Sequence, residues 1–297
     1  MYFSETISQE ENEGNRVMNL IKSTSGLFKN DLYQIPLIEL DFDSMSLCIS
    51  AGSLNCERRA RRILQDEPET VRWVESLKPS DVLYDVGANI GVYTLVAARA
   101  AGCRVVALEP SALNYSELVK NLYLNDLSKK TIALCLAAWS EVSLSVLHMS
   151  YFAPGFSHND FSTNWWDGPQ QIGNFLIDQT KRPVQHCLGM PIDDLVEKHG
   201  LPQPTHIKID VDGLEPNVVA GAKKVLADDR LKSLLIEIDL NLDSHRTLLI
   251  QLKELGFYYD EEQVRQSKSQ YLDDNVFRMK MSENSFKGNF IFYRHDG

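Results

Sequence analysis

An α/β fold of the Rossmann-like, doubly wound kind is what this sequence predicts, on three observations. From Asp81 onward short β-rich runs alternate with helical patterns, a glycine-containing turn follows the first run, and acidic side chains stand at the ends of successive runs. Strands are expected at Val82–Asp85, Arg104–Glu109, Thr131–Ala137, His206–Val211, Leu234–Asp239, Phe257–Tyr259 and Asn289–Tyr293. Helices are expected between them at Tyr93–Ala100, Ala112–Leu124, Asn217–Ala227 and Arg246–Leu255.

The segments outside this alternation divide the chain further. Residues 1–16 are polar and acidic, a composition expected to stay disordered. Residues 17–78 read as an N-terminal cap, with a short helix near Arg16–Ser23, extended segments at Leu37–Asp41 and Ser46–Ser50, and helices at Asn55–Gln65 and Pro68–Leu77. Glu67-Pro68-Glu69 is a helix start, with proline in the first turn and acids at the positive end of the dipole. Residues 79–297 form the main domain, in which the alternation breaks after the third strand. There, residues 141–189 contain no convincing crossover helix but carry Tyr151, Phe152, Phe156, Phe161, Trp165, Trp166 and Phe175. So long an insertion in a compact domain is expected to serve function, as part of a ligand pocket.

Composition narrows the partners. With 297 residues, 43% hydrophobic and 24% charged, the chain can bury a sizeable core, and its net charge of −11 disfavours nucleic acid and anionic lipid. The basic run Arg58-Arg59-Ala60-Arg61-Arg62 lies in an expected helix next to Asp66 and Glu67, so a solvated or ion-paired face is the first reading and an acceptor-binding patch the second. Five scattered cysteines without C-x-x-C spacing point to a reducing compartment and away from structural zinc. No apolar run reaches membrane-span length and the start lacks a signal-peptide core, so a cytoplasmic location is expected.

The turn Asp85-Val86-Gly87-Ala88-Asn89-Ile90-Gly91 joins the first strand to its helix. Its glycines suit tight backbone bending or close approach of a ligand, and the helix amides beyond it favour negative charge. Asp85 makes it selective. A carboxylate at the strand tip would repel a dinucleotide pyrophosphate, whereas it would attract the ammonium and sulfonium of S-adenosylmethionine. Glu109 ends the second strand about 20 residues on, where an acid can accept hydrogen bonds from ribose hydroxyls in either kind of site.

With Asp85 to Tyr93, then Glu109-Pro110, then Ile207-Lys208-Ile209-Asp210-Val211-Asp212-Gly213-Leu214-Glu215 in order, the chain resembles the FkbM-type S-adenosylmethionine-dependent methyltransferases. The resemblance spans roughly Pro68 to Leu255. It implies the class I methyltransferase fold, a seven-stranded, mostly parallel sheet with helices on both faces, and methyl transfer to a hydroxyl of a sugar, polyketide or related metabolite. By that similarity Asp85, Gly87, Asn89, Gly91 and Glu109 are cofactor-binding positions. Asn89 stands where many class I enzymes have glycine, and asparagine tolerates unusual backbone angles.

The resemblance also implies an adenine contact after the third strand, commonly from a polar residue; here that strand runs into Ala137-Ala138-Trp139, so a backbone contact is expected near Ala138, with Trp139 equally readable as core. Alternation along a strand puts Lys208 and Asp210 on one face, with Asp212 at the carboxyl end where open α/β sheets bind ligands. Lys208 and Asp210 are therefore candidate catalytic groups, and a structural ion pair is the competing reading. A carboxylate, at about 3.9, is a poor base for an alcohol near 15.7, whereas histidine at about 6.5 suits the task better at neutral pH. His158, in an aromatic, loop-like setting, and Asp210 are therefore the two candidate bases, with a surface histidine of no catalytic role as the competing reading of His158. Asp210, Asp212, Glu215 and Glu237 could gather around Mg²⁺, although such acids serve as readily as caps, and no metal is assigned; Glu237 is expected to line the acceptor pocket or to pair with Lys208. A nicotinamide-dependent oxidoreductase and a non-catalytic module binding adenosylmethionine or glycan are the competing functions, the former weakened by Asp85 and an incomplete G-x-G-x-x-G.

Overall fold

The computed structural model describes residues 18–29, 34–162, 182–264 and 287–294. Its centre is a seven-stranded sheet in the order β13-β14-β12-β11-β4-β5-β6. The strands are β4 (Val82–Val86), β5 (Arg104–Leu108), β6 (Thr131–Leu134), β11 (His206–Ile209), β12 (Ser233–Asp239), β13 (Phe257–Tyr259) and β14 (Lys287–Arg294). β12, β11, β4, β5 and β6 run parallel, and β14 lies antiparallel between β12 and β13. The fold is thus the expected α/β one, a seven-stranded and mostly parallel sheet with helices on both faces.

The period of two along each strand sorts side chains between two cores. Val82, Tyr84 and Val86, with Ile207, Ile209, Leu234, Ile236, Phe290 and Phe292, pack on one face. That face is covered by α7 (Glu215–Ala220), α8 (Lys223–Ala227) and α9 (Asp243–Glu254), whose Val218, Val225 and Leu248 join the same core. Leu83, Val105, Leu235 and Ile291 face the other way, with α4 (Val92–Val96), α5 (Ala112–Leu124) and the N-terminal elements. By the same alternation Asp85, Lys208, Glu237 and Asn289 point to this second face. Four polar side chains are thereby placed beneath the N-terminal segment.

That segment comprises an antiparallel sheet of β1 (Leu20–Lys29), β2 (Gln34–Phe42) and β3 (Ser46–Ser50), followed by α1 (Leu54–Arg61), α2 (Ile63–Asp66) and α3 (Pro68–Glu75). The helix expected near Arg16–Ser23 is incorrect where it is described: Leu20 onward is strand, because Ser23, Thr24, Ser25 and Gly26 are weak helix formers and pair in register with Leu40 to Leu37 of β2. The helix expected over Asn55–Gln65 breaks at Arg62, and that over Asn217–Ala227 breaks at Gly221, where a Cβ would meet the Trp139 carbonyl oxygen at 1.9 Å.

The third strand also parts from expectation. β6 stops at Leu134, and β7 (Ala137–Ala138) leaves for a second sheet with β8 (Ser143–His148), β9 (Asp160–Ser162) and β10 (Val184–Met190), in the order β7-β10-β8-β9. Most of the 141–189 insertion that is described is therefore sheet and ordered loop, and α6 (Ile192–Glu197), unforeseen, follows it. Trp165, Trp166, Phe175 and residues 1–16 lie outside the described residues. Among the described residues no helix is long and apolar enough to cross a membrane.

Candidate active site

Lys208 sits at the middle of a buried charge cluster. Its ammonium lies 3.0 Å from Asp210 Oδ2, 3.8 Å from Asp85 Oδ1 and 5.3 Å over the Tyr93 ring, with the side chain 2% exposed. Burial alone would push the ammonium down, but Asp210, Asp85 and Glu67 outweigh it and hold Lys208 above its ordinary value. Asp85 accepts from Thr94 Oγ1 at 2.6 Å, and burial raises its carboxyl while Lys208 pulls it back. Its other oxygen, Oδ1, is buried with no hydrogen bond among the described residues. Glu67 reaches the cluster from the cap, accepting from Thr70 Oγ1 at 2.9 Å and Asn289 Nδ2 at 3.0 Å, and burial together with Asp210 pushes it up to about 7. An excess of acid and an orphaned carboxylate oxygen fit a cationic cofactor.

The glycine turn borders this cluster. Gly87 has φ +79°, and a Cβ there would lie 2.0 Å from the Asp210 carbonyl oxygen; Gly91 has φ +85°, with Leu118 Cδ1 2.3 Å from where its Cβ would be. Both glycines are thus demanded by packing of the turn against the end of β11 and against α5. Asn89 takes φ +52° between them, and its backbone amide donates to Glu109 Oε2 at 2.8 Å. Glu109 Oε1 accepts from the Ser111 amide at 2.9 Å and from Asn114 Nδ2 at 3.4 Å. Burial nevertheless raises Glu109 to about 7. Ala138 pairs with Met190, and its side chain packs in the core with Leu108 and Ile192, away from the charge cluster. Trp139 is core as well, its ring edge-on to Phe161 at 4.9 Å.

The insertion delivers His158 to the carboxyl end of β11. His158 Nδ1 lies 3.0 Å from Asp212 Oδ1, and the His158 backbone amide donates to Asp212 Oδ2 at 2.6 Å. Both residues adopt positive φ, +61° and +59°. The His158 side chain is 56% exposed. Burial tends to raise Asp212, but its bonds to His158 prevail and hold it below the usual carboxylate range. Asp212 is in turn placed by a sealed pair beneath it. Glu215 Oε1 accepts from the amides of Val211 and Gly213 at 3.0 and 3.3 Å, and Glu215 Oε2 faces His245 Nε2 at 3.2 Å. Because the Asp239 amide donates to His245 Nδ1, the proton of that ring belongs on Nε2, toward Glu215.

Four acids that could have shared a metal thus have four separate basic partners: Asp210 with Lys208, Asp212 with His158, Glu215 with His245, and Glu237 with Lys287 at 2.8 Å. Glu237 pairs with Lys287 rather than with Lys208. Among the described residues no cluster of three or more side chains is arranged to hold a metal ion.

The profile described as "Methyltransferase FkbM domain" matches residues 85–259, well over half of the chain and including the glycine turn, Glu109 and the Lys208–Glu215 block. The chain belongs to the FkbM methyltransferase family. A methyl donor of the S-adenosylmethionine type is accordingly its cofactor, and the nicotinamide alternative falls. The chain is 25% identical over 183 residues to the hexuronic acid methyltransferase AglP of Haloferax volcanii, a match covering 61% of this chain and 66% of that protein, just under two thirds of it. Among solved structures it is similar to the SAM-dependent methyltransferase from Agrobacterium tumefaciens, with TM-score 0.42, 10% identity and coverage of 88% and 70% of the two chains. The TYW2 protein of M. jannaschii in complex with AdoMet compares at TM-score 0.40 and 10% identity, over 91% and 93%.

Residues without a functional signal in the sequence complete the candidate site. Glu67 carried a signal only as a helix start, and nothing in its neighbours announces that it reaches Lys208. Asn114 and Asn289 come from expected elements and Lys287 lies two residues before one, in the longer β14, but their partners are far along the chain. Asp212 was visible as an acid at a strand end; its pairing with His158, 54 residues earlier, was not.

Proposed function

We propose that this methyltransferase transfers a methyl group to a hydroxyl oxygen, with a sugar or other polyhydroxylated metabolite as acceptor and His158 as general base. The observation that carries the reading is the His158–Asp212 pair at the carboxyl edge of the sheet, beside the acid cluster. S-adenosylmethionine, when bound, supplies a methyl group made electrophilic by its sulfonium.

The chain's own groups supply the rest. Asp85 and Asp210 attract the cationic donor, the Gly87–Gly91 turn shapes the backbone around it, Glu109 accepts from the ribose hydroxyls, and the Ala138 region borders the adenine. Lys208 sets its ammonium against both Asp85 and Asp210 and fixes their direction, which makes it a positioning residue for both. Asp212, held ionised, orients the imidazole through Nδ1, so that Nε2 is the nitrogen that takes the acceptor proton. A free alcohol near 15.7 is not deprotonated in advance by histidine near 6.5, so the proton leaves as the new carbon–oxygen bond forms. Much of the rate then rests on holding the reactants in line.

The hexuronic acid methyltransferase relative supports a sugar acid as acceptor. A hexuronic acid offers hydroxyls and a carboxylate, and only a hydroxyl has a proton to lose. The built His158–Asp212 pair favours the hydroxyl. Incubation with S-adenosylmethionine and a panel of free hexuronic acids, their glycosides and neutral glycosides, read by mass spectrometry, tests this. A methyl ether is expected; a methyl ester formed at full rate by His158→Ala would move the reaction to the carboxylate, and no methylated product from any hydroxylated acceptor would sink the proposal.

A further inference from the structure

The basic run in α1 is not one feature. Arg61 pairs with Glu57 at 2.9 Å and Arg62 with Asp66 at 2.6 Å, each an ion pair within its own stretch of chain, while Arg58 is exposed. Arg59 turns the other way, into the insertion. Its Nε donates to the Gly155 carbonyl at 2.6 Å and a terminal nitrogen donates to Ser157 Oγ at 2.5 Å. We propose that Arg59 is a positioning residue for methyl transfer, clamping the Pro154–Ser157 loop between cap and cofactor turn so that His158 stays against Asp212. The inference rests on the reading of His158 as base.

Other bonds share the loop with Arg59: Ser150 Oγ donates to the Ser157 carbonyl at 2.6 Å and Arg182 to the His158 carbonyl at 3.0 Å. Residues 149–159 contain no helix or strand, so its shape is set by side-chain hydrogen bonds. On the cap side, Ser53 Oγ donates to the Pro154 carbonyl at 2.7 Å and Asn55 Nδ2 joins Arg59 on the Gly155 carbonyl. On the cofactor side, Asn114 Oδ1 accepts from the Gly155 amide at 2.7 Å, and Asn89 and Asn114 both donate to the Phe156 carbonyl at 3.1 Å. Gly155 has φ +84°, and a Cβ there would lie 2.9 Å from the Cys56 amide nitrogen, so the loop is pressed directly onto α1. The next anchor along the chain is Ser157, and then comes His158 in its left-handed conformation, which is strained for a non-glycine residue and has to be held by its neighbours. A planar guanidinium meets two acceptors at fixed spacing, which an ammonium cannot do. Because Asn89 belongs to the glycine turn, one loop joins the cap, the cofactor turn and the base.

The test separates clamp from base. In protein labelled with ¹⁵N-histidine, the imidazole signals of His158, assigned by their loss in His158→Asn, report its bond to Asp212. Arg59→Ala is expected to move them to the averaged position seen in Asp212→Asn, Arg59→Lys to move them part of the way, and Arg58→Ala, which removes the same charge from the same helix, to leave them in place. Unmoved His158 signals in folded Arg59→Ala or Arg59→Lys would overturn the proposal. In turnover with the acceptor found in the panel above, Arg59→Ala should lower kcat about tenfold with KM for S-adenosylmethionine little changed, and should cost nothing further in a His158→Ala background. Equal, additive losses in both backgrounds would mean that Arg59 acts by another route. Full turnover by His158→Ala would reject the base while the spectra still decide the clamp.

Discussion

Lys208 and His158 each face a carboxylate near the carboxyl end of β11, but Lys208 is 2% exposed and His158 56% exposed. The lysine is gripped by Asp85 and Asp210 on neighbouring strand ends, and its counterpart is carried in on a loop whose own conformation is strained. Burial decides what each can do. A wholly enclosed ammonium among carboxylates cannot exchange its proton with a substrate without leaving those carboxylates uncompensated, whereas a half-exposed imidazole can. The same sequence block thus contributes to a sealed pair and to an accessible one, a few residues apart.

The largest effect that could break this contrast is expected at Lys208. Lys208→Met removes the cation from among buried acids and should destabilise the fold by about 3–5 kcal/mol in urea unfolding; a loss under about 1 kcal/mol would mean that the cluster is held by something else. Next is His158→Ala, expected to lower kcat by about 10²-fold while leaving the melting temperature and adenosylhomocysteine affinity nearly unchanged. A variant that melted early but turned over normally would invert the comparison.

A third prediction sharpens it on the cofactor side. Burial raises Glu109 to about 7, above its unfolded value, so its contribution to stability is fully present below about 4.5 and is lost as pH rises through about 7. In the proposed role Glu109 accepts from the ribose hydroxyls, more strongly as the carboxylate than as the acid, so calorimetric affinity for adenosylhomocysteine should rise between pH 6 and 8, and Glu109→Gln should weaken binding about tenfold and flatten that dependence. The smallest effect is assigned to Arg62→Ala, whose exposed pair with Asp66 should be worth no more than about 0.5 kcal/mol by thermal unfolding.

What the sequence made legible was local. The strand, glycine turn and acid of Asp85–Gly91, Glu109 at the end of the next strand, and the alternation of Lys208 with Asp210 all follow from spacing, and the sheet follows from their repetition. The pairings were not legible, because they join residues of very different position: Glu67 with Lys208, Arg59 with Gly155, His158 with Asp212. The first strand was missed for a related reason. Leu20–Lys29 has a weak local preference and becomes β1 by pairing with β2, a tertiary contact that overrides propensity. The split of the third strand likewise depends on β10, about 50 residues later, which draws Ala137 and Ala138 out of the main sheet.

The placement of β14 between β12 and β13 bears on how the molecule is made. Both neighbours are synthesised before the strand that joins them, so a chain leaving the ribosome carries the edge of β12 unpaired, with Leu234, Leu235 and Ile236 behind it, until Lys287–Arg294 emerges. The same late strand brings Lys287 to Glu237 and Asn289 to Glu67. Closing the sheet and giving Glu237 and Glu67 their partners are one step in the life of the nascent chain, and a ribosome stalled before that strand holds a protein with neither.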